Sequence, residues 1–372
     1  MSEPAAGQIG QAPGAAAGPS PSLTSLFGTF LMLGTTSIGG GVVAYLRATL
    51  VGKRAWLDDV AFVELLSISQ TMPGLNAVNM SILVGDRLRG GWGALVATLG
   101  MCLPGALLMS AAGAAYGLQA DAPPATAALH AIAAAAVGLV MSVLMQVGAK
   151  ALTTHTDYVF AGLTAAAVFF FHVPVLYALL ADGQSRRQGR RAMMEKLAEL
   201  AEVFGYLSLL TVGGGMAAFP ALKSLTVDTH HWLTFPELLH FYSIGQLAPG
   251  PNMMMVASVG MFVAGPVGAL VALLCFLLPT SLLTFATGRL WGRLQSWRWR
   301  SAVQHGLGSV SVGLVLAGGL IMGKGAIKDV PTAAIAVVVF VLLLRTKINP
   351  AWPILASGAL GVVLLWLGIF KG

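Results

Sequence analysis

The chain has 372 residues, of which 56% are hydrophobic and 9% charged, with a formal net charge of +7 and a mean hydropathy of +0.81. Soluble domains carry about 25% charged residues. The shortfall excludes a soluble enzyme of ordinary make-up, a disordered protein and a nucleic-acid binder of the basic-patch kind.

Residues 1–22 are Ala, Gly, Pro, Gln and Ser with a single charge, Glu3, and lack the basic start of a secretory signal. They read as a disordered tail. Apolar segments follow at 23–50, 60–85, 91–118, 125–147 and 158–181. Many approach the roughly 20 residues that cross a bilayer. A basic stretch at 182–196, with Arg186, Arg187, Arg190, Arg191 and Lys196, reads as a cytoplasmic linker. Further apolar segments occupy 197–222, 235–263, 266–288, 303–322, 331–344 and 351–370. The expected fold class is therefore all-α and polytopic in a membrane. Cys102 and Cys275 lie inside apolar segments and read as core packing.

The two sets of segments repeat each other. Gly39-Gly40-Gly41 answers Gly213-Gly214-Gly215 at an offset of 174, and Trp56-Leu57 answers Trp232-Leu233 at 176. Ser67-x-x-Gln70-x-x-Pro73-Gly74-x-Asn76 answers Ser243-x-x-Gln246-x-x-Pro249-Gly250-x-Asn252, also at 176. Gly93-Ala94 and Pro104 answer Gly268-Ala269 and Pro279 at 175. Several motifs in one order at nearly one offset indicate two homologous helical repeats, over 23–181 and 197–372, an organisation typical of secondary transporters.

Charge decides their relative orientation. Suppose the Pro-Gly segments are re-entrant hairpins and 158–181, broken at His172-Val173-Pro174, goes in and returns. Lys53, Arg54, Arg87, Arg89, Lys150, the five linker charges, Arg289, Arg293, Arg298, Arg300, Arg345 and Lys347 then share one side, 16 in all. Lys223, Lys324, Lys328 and Lys371 fall opposite, and Arg47 lies within a segment, which completes the 21 basic residues. If 158–181 crosses once, the split becomes 11 to 9. The positive-inside rule favours the first arrangement, an inverted repeat with the tail outside.

The paired Ser-x-x-Gln-x-x-Pro-Gly-x-Asn motif carries the chemistry. Proline removes a backbone donor and glycine admits unusual dihedrals, so each copy breaks its helix. Within a membrane such a break persists only where protein or water satisfies it. A helix restarting after the break offers free N–H groups to an anion. Gln70, Pro73, Gly74, Asn76 and Asn79 from one copy, and Gln246, Pro249, Gly250 and Asn252 from the other, are the expected binding set. A plain kink is the alternative. The triple glycines are either further unwound points or close helix contacts. Arg47 and Lys223 are candidates to balance an anion, or to reach lipid headgroups instead. Glu64 and His240 occupy equivalent repeat positions and are candidates to carry a proton, or are ordinary interfacial residues. Arg289, Arg293, Trp297, Arg298, Trp299 and Arg300 read as an interfacial belt meeting anionic lipid. No catalytic triad, P-loop or metal-ligand cluster is present, His230-His231 lacks further ligands, and no cofactor is expected.

These motifs resemble the chromate ion transporter family in its two-domain form. The second half carries Gly213-Gly214-Gly215, Trp232-Leu233, Gln246-Leu247-Ala248-Pro249-Gly250-Pro251-Asn252, Gly268-Ala269 and Pro279. In the first half, Gly39-Gly40-Gly41, Trp56-Leu57, Gln70-Thr71-Met72-Pro73-Gly74 and Asn79 match, while Leu75 stands where a second proline is expected. The resemblance implies a bacterial inner-membrane, multi-pass protein that expels chromate using the proton-motive force. The expected partners are a small inorganic oxyanion, protons and membrane lipid, with a homodimer permitted and nucleic acid excluded. An importer or channel for sulfate or another oxyanion is the alternative. An embedded enzyme would need a nucleophile or metal cluster within a span.

Overall fold

A computed structural model describes residues 21–37, 42–119, 122–171, 190–211, 214–294, 300–346 and 348–370. Every regular element among them is helical. Residues 1–20 of the expected tail, the triple glycine Gly39-Gly40-Gly41, Gly213, the His172-Val173-Pro174 break and Trp297, Arg298 and Trp299 lie outside the described residues, whereas Ser22 at the end of the tail caps the first helix.

The first repeat opens with α1 (Leu23–Thr36), where the Ser22 hydroxyl accepts the Ser25 N–H at 3.2 Å. Next come α2 (Val42–Arg47), which continues as a wider π turn to Lys53, and α3 (Asp59–Thr71), capped by Asp58 on Ala61 N–H at 2.7 Å. Then follow α4 (Asn76–Gln119), α5 (Pro123–Ala151) and α6 (His155–Phe171). The second repeat begins with α7 (Arg190–Leu210), so the basic stretch expected as a linker is helical from Arg190. A short 3₁₀ turn (Gly215–Ala218) leads into α8 (Phe219–Lys223) and a second π turn to Thr229. There follow α9 (Phe235–Leu247), α10 (Met255–Leu294), α11 (Arg300–Ala326), α12 (Val330–Arg345) and α13 (Ala351–Trp366). A Thr234–Glu237 capping box starts α9.

Each repeat contains the same double fold. The helix α4 turns back on itself at Arg89 (φ −143°, ψ 20°) and Gly90 (φ 63°, ψ −157°), and α10 does so at Ala264 (φ −144°, ψ 26°) and Gly265 (φ 63°, ψ −156°). Ser81 Oγ lies 3.2 Å from Thr98 Oγ1, whereas seventeen residues of straight helix would separate them by about 25 Å. Gly85 packs on the Gly93 backbone, and Gly260 on that of Gly268. Helix α3 in turn runs antiparallel to the first arm of α4. Arg87 pairs with Glu64 at 3.7 Å, and Asn79 Nδ2 donates to the Ser69 carbonyl at 3.3 Å. The motif Pro73-Gly74 forms the tip of this hairpin, with Gly74 at φ 109° and its counterpart Gly250 at 90°.

Contacts between the repeats fix their relative direction. Thr284 Oγ1 donates to Asn79 Oδ1 at 3.0 Å, Leu83 packs beside Gly288, and Arg289 pairs with Asp86 at 3.0 Å. Residue numbers rise together, so the first arm of α4 is parallel to the end of α10. That arm is antiparallel to the second arm of α4. The long second arms of α4 and α10 therefore run in opposite directions, and the repeats are inverted. Two reciprocal backbone bonds lie between the repeats: Gly74 N–H to the Thr211 carbonyl at 3.0 Å, and Gly250 N–H to the Ser37 carbonyl at 2.9 Å. The repeats also exchange their outer helices. Helices α12 and α13 pack on α5, and α6 packs on α11.

Among the described residues, four helices are long and apolar enough to cross a membrane: α4, α5, α10 and α11. Because α4 and α10 are folded back, their crossing arms are 91–119 and 266–294. Each is about 43 Å long at 1.5 Å per residue, enough for the hydrocarbon core. Leu103, Leu107, Leu278 and Leu282 stand exposed on these arms, and Trp92, Trp352 and Trp366 are exposed near helix ends. An apolar exterior with aromatic rings near its edges is that of a multi-pass membrane protein.

Candidate functional site

Both hairpin tips open onto one cavity of about 520 Å³ at the repeat interface. The first repeat contributes Leu75, Asn76 and Ala77 from its tip, with Ser142 and Gln146 from α5. The second contributes Gly214 and Gly215, then Gln246, Gly250 and Asn252, with Ser311 from α11 and Thr346 after α12. No lining residue is ionisable among the described residues. The cavity is neutral and mainly apolar, with a small set of polar groups in its wall.

Its polar groups are built to donate. The first backbone bond of α4 runs from Asn79 N–H to the Leu75 carbonyl at 2.8 Å. The N–H groups of Asn76 and Ala77 precede it and have no helical acceptor, and the positive end of the helix lies at this wall. Gln246 is 5% exposed, and its Nε2 is buried with no hydrogen-bond partner. Asn76 Oδ1, an acceptor, is also buried and unpartnered. A buried polar atom left unmatched is costly, and of these two only the Gln246 amide N–H is of the kind an anion could satisfy. Gly214, at φ 103°, lets the chain leave α7 and re-form as the 3₁₀ turn. Gly215 lies against the Met253 side chain, where a Cβ would collide. In the second repeat the glycine motif is thus both a backbone break and a close contact.

Several expected site residues fall elsewhere. Gln70 is exposed and does not line the cavity. The two glutamines are equivalent in sequence but not in surroundings. Asn79 is fully buried and serves structure. Its Nδ2 donates to the Pro73 carbonyl at 3.1 Å and its Oδ1 accepts from Thr284, which ties the first tip to the other repeat. Pro73, Gly74 and Pro249 shape the tips without lining the cavity. Arg47, placed by sequence near the anion, is instead at the periphery, its side chain 60% exposed and 2.6 Å from Asp59. Lys223 pairs with Asp228 at 2.8 Å. Both cations are held by the nearest carboxylate, which removes the reason to place them at a ligand. Glu64 pairs with Arg87 at the mouth of the first hairpin. His240 lies in a second, smaller cavity. Sequence reasoning missed Ser142 and Gln146. The available signal was a pair of polar residues at i and i+4 on one face of an otherwise apolar helix.

Among the described residues no three His, Cys, Asp or Glu side chains gather to hold a metal ion. Comparison with known proteins agrees with this architecture. The pattern of the chromate transporter family matches residues 24–184 and again 198–362. The chromate transport protein of Cupriavidus metallidurans is 26% identical over 92% of each chain. That of Pseudomonas aeruginosa is also 26% identical, over 92% of each chain. The probable chromate transport protein of Synechococcus elongatus is 24% identical over 94% of this chain and 97% of its own. No solved structure matches. Two matched segments, one per repeat and together spanning most of the sequence, show that the chain belongs to the chromate transporter family.

Proposed function

We propose that this protein is a secondary transporter that carries chromate out across a bacterial inner membrane, driven by protons, and that chromate binds in the neutral cavity between the hairpin tips. The unpartnered Gln246 Nε2 carries this proposal. It is a buried donor on a residue that lines the cavity, to which the N-terminus of α4 and Asn76 and Asn252 from opposite repeats also contribute. A tetrahedral dianion suits such donors. Amide hydrogens and helix N-termini replace its water without supplying a counter-ion that would hold it too tightly to leave. The relatives named above are transport proteins, which favours transport over catalysis. Placement of the cavity at an inverted-repeat interface suits alternating access, in which one repeat rocks against the other around a fixed site.

The test is chromate flux in proteoliposomes, with cells scored for chromate resistance and labelled sulfate uptake as the matching control. Gln246→Ala should raise the half-saturating chromate concentration by about 10- to 150-fold, the equivalent of a hydrogen bond to a charged partner worth roughly 1.5–3 kcal/mol. Sulfate accumulation with chromate sensitivity would instead assign import of the smaller relative. Unchanged chromate affinity in a well-inserted Gln246→Ala would refute the site.

A further inference from the structure

A second cavity, of about 220 Å³, lies apart from the first and holds the ionisable groups the first one lacks. His130 of α5 and His240 of α9 face each other with ring centroids 5.4 Å apart. The hydroxyl of Tyr116, on the second arm of α4, lies 2.8 Å from His240 Nδ1. His240 Nε2 is buried and has no hydrogen-bond partner. Lys328 and Asp329, in the α11–α12 connection, complete the charged lining. The Asp329 carboxylate caps α12, accepting from the Thr332 N–H at 2.9 Å. The remaining ionisable groups nearby point elsewhere. Glu237 is held in its capping box, Lys324 lies over the Phe169 ring at 4.0 Å, and Lys223 pairs with Asp228.

We propose that His130 and His240, positioned by Tyr116, form the proton-carrying site of the transport cycle, loaded from the face that bears Lys324 and Lys328. This rests on the proton-driven transport proposed above and names where the proton resides. Two imidazolium ions this close repel, so the pair takes one proton beyond its neutral state. The proton passes from cavity water to either imidazole and returns to water when the site opens to the other side. When it enters at His240 Nδ1, the Tyr116 hydroxyl must turn from donor to acceptor. The neutral and charged pairs therefore require different local hydrogen bonding. The link to the oxyanion is short. His240 and Gln246 share α9, six residues or about 9 Å apart along the axis, and α5 carries both His130 and the cavity residues Ser142 and Gln146. Charging the histidines acts on the two helices that wall the oxyanion cavity. The repeat-equivalent position, Glu64, is instead in an ion pair with Arg87, so the two hairpins are chemically unlike at this point.

The experiment uses the full chain in proteoliposomes with a trapped pH dye and a chromate gradient. Wild type should move protons in step with chromate. His240→Gln and His130→Gln should keep downhill chromate exchange within about threefold and reduce chromate-linked proton movement at least tenfold. Tyr116→Phe should keep coupling and shift the pH dependence of transport. Wild-type proton coupling in both histidine variants would overturn the assignment. So would equal loss of exchange and coupling in an inserted His130→Gln, because that marks a packing role. Should His240→Gln fail to insert, His130→Gln and Tyr116→Phe decide by the same readouts. Chromate flux without proton movement in the wild type overturns the proton-driven reading itself, and the histidine assignment with it. Coupled wild type with coupled variants sinks the histidine assignment alone.

Discussion

Gln70 and Gln246 occupy the same place in two copies of one motif, yet only Gln246 reaches the cavity. A residue's chemistry is set by what surrounds it: Gln246 is buried, whereas Gln70 is exposed. Gln70→Ala is therefore expected to leave chromate affinity within about twofold of wild type, against the large loss at Gln246, in the same flux assay. Arg47 gives a second contrast. An exposed ion pair contributes about 0–1 kcal/mol, so Arg47→Gln should insert and transport normally. Abolished transport in a folded Arg47→Gln would return it to the site. Asn79 should behave in the opposite way from Gln246. Asn79→Ala strands the tip carbonyls and the Thr284 hydroxyl inside the protein, and each unmatched buried group costs about 1–3 kcal/mol. The expected outcome is a lowered unfolding temperature in detergent with chromate affinity little changed.

Among the elements, the recurring unit is a helix that folds back twice, and glycine makes both folds. Gly74 and Gly250 adopt positive φ at the tips, and a Cβ on Gly74 would lie 3.0 Å from both Asn79 Oδ1 and Thr280 Cβ. Gly74→Val and Gly250→Val are expected to abolish transport. Gly85 and Gly260 allow the two arms of α4 and α10 to touch, backbone against backbone. Overpacking typically costs 1–3 kcal/mol, and more where backbone is met, because backbone cannot step aside. Gly85→Leu and Gly260→Leu should lose membrane-inserted protein, measured by fluorescence-detected chromatography, while Gly52→Leu, with nothing within 4 Å of its Cβ, should not. The folds were partly legible: Pro-Gly marked the tips, whereas Arg89-Gly90, with no proline beside it, and Ala264-Gly265, although followed by Pro266, read only as short gaps between apolar runs.

At the scale of the whole molecule, neither repeat is complete alone. Each hairpin tip donates its glycine N–H to the end of the other repeat's first helix, and α6, α12 and α13 all pack across the interface. Residues 1–196 or 197–372 expressed singly should fail to accumulate, and co-expression should restore assembled, transporting protein, as judged by co-purification. From the charge split we propose that the stretch around Arg187 is cytoplasmic and the N-terminal tail outside. Single cysteines introduced at these positions, on a background lacking Cys102 and Cys275, should label from opposite sides. A tail labelled only from the cytoplasm would contradict the orientation.

The sequence alone determined the helical membrane class, the duplication, the inverted arrangement favoured by basic-residue placement and the two Pro-Gly tips. All of these follow from local composition and from order along the chain, which hydropathy and proline or glycine chemistry report directly. Only the tertiary structure separated Gln246 from Gln70, moved Arg47 to the periphery, gave Asn79 a structural role, and brought Ser142 and Gln146 to the cavity between the hairpin tips and His130 to His240. Those outcomes depend on which helices pack across the repeat interface. Such contacts join residues more than 100 positions apart, such as Tyr116 and His240, and no local pattern records them.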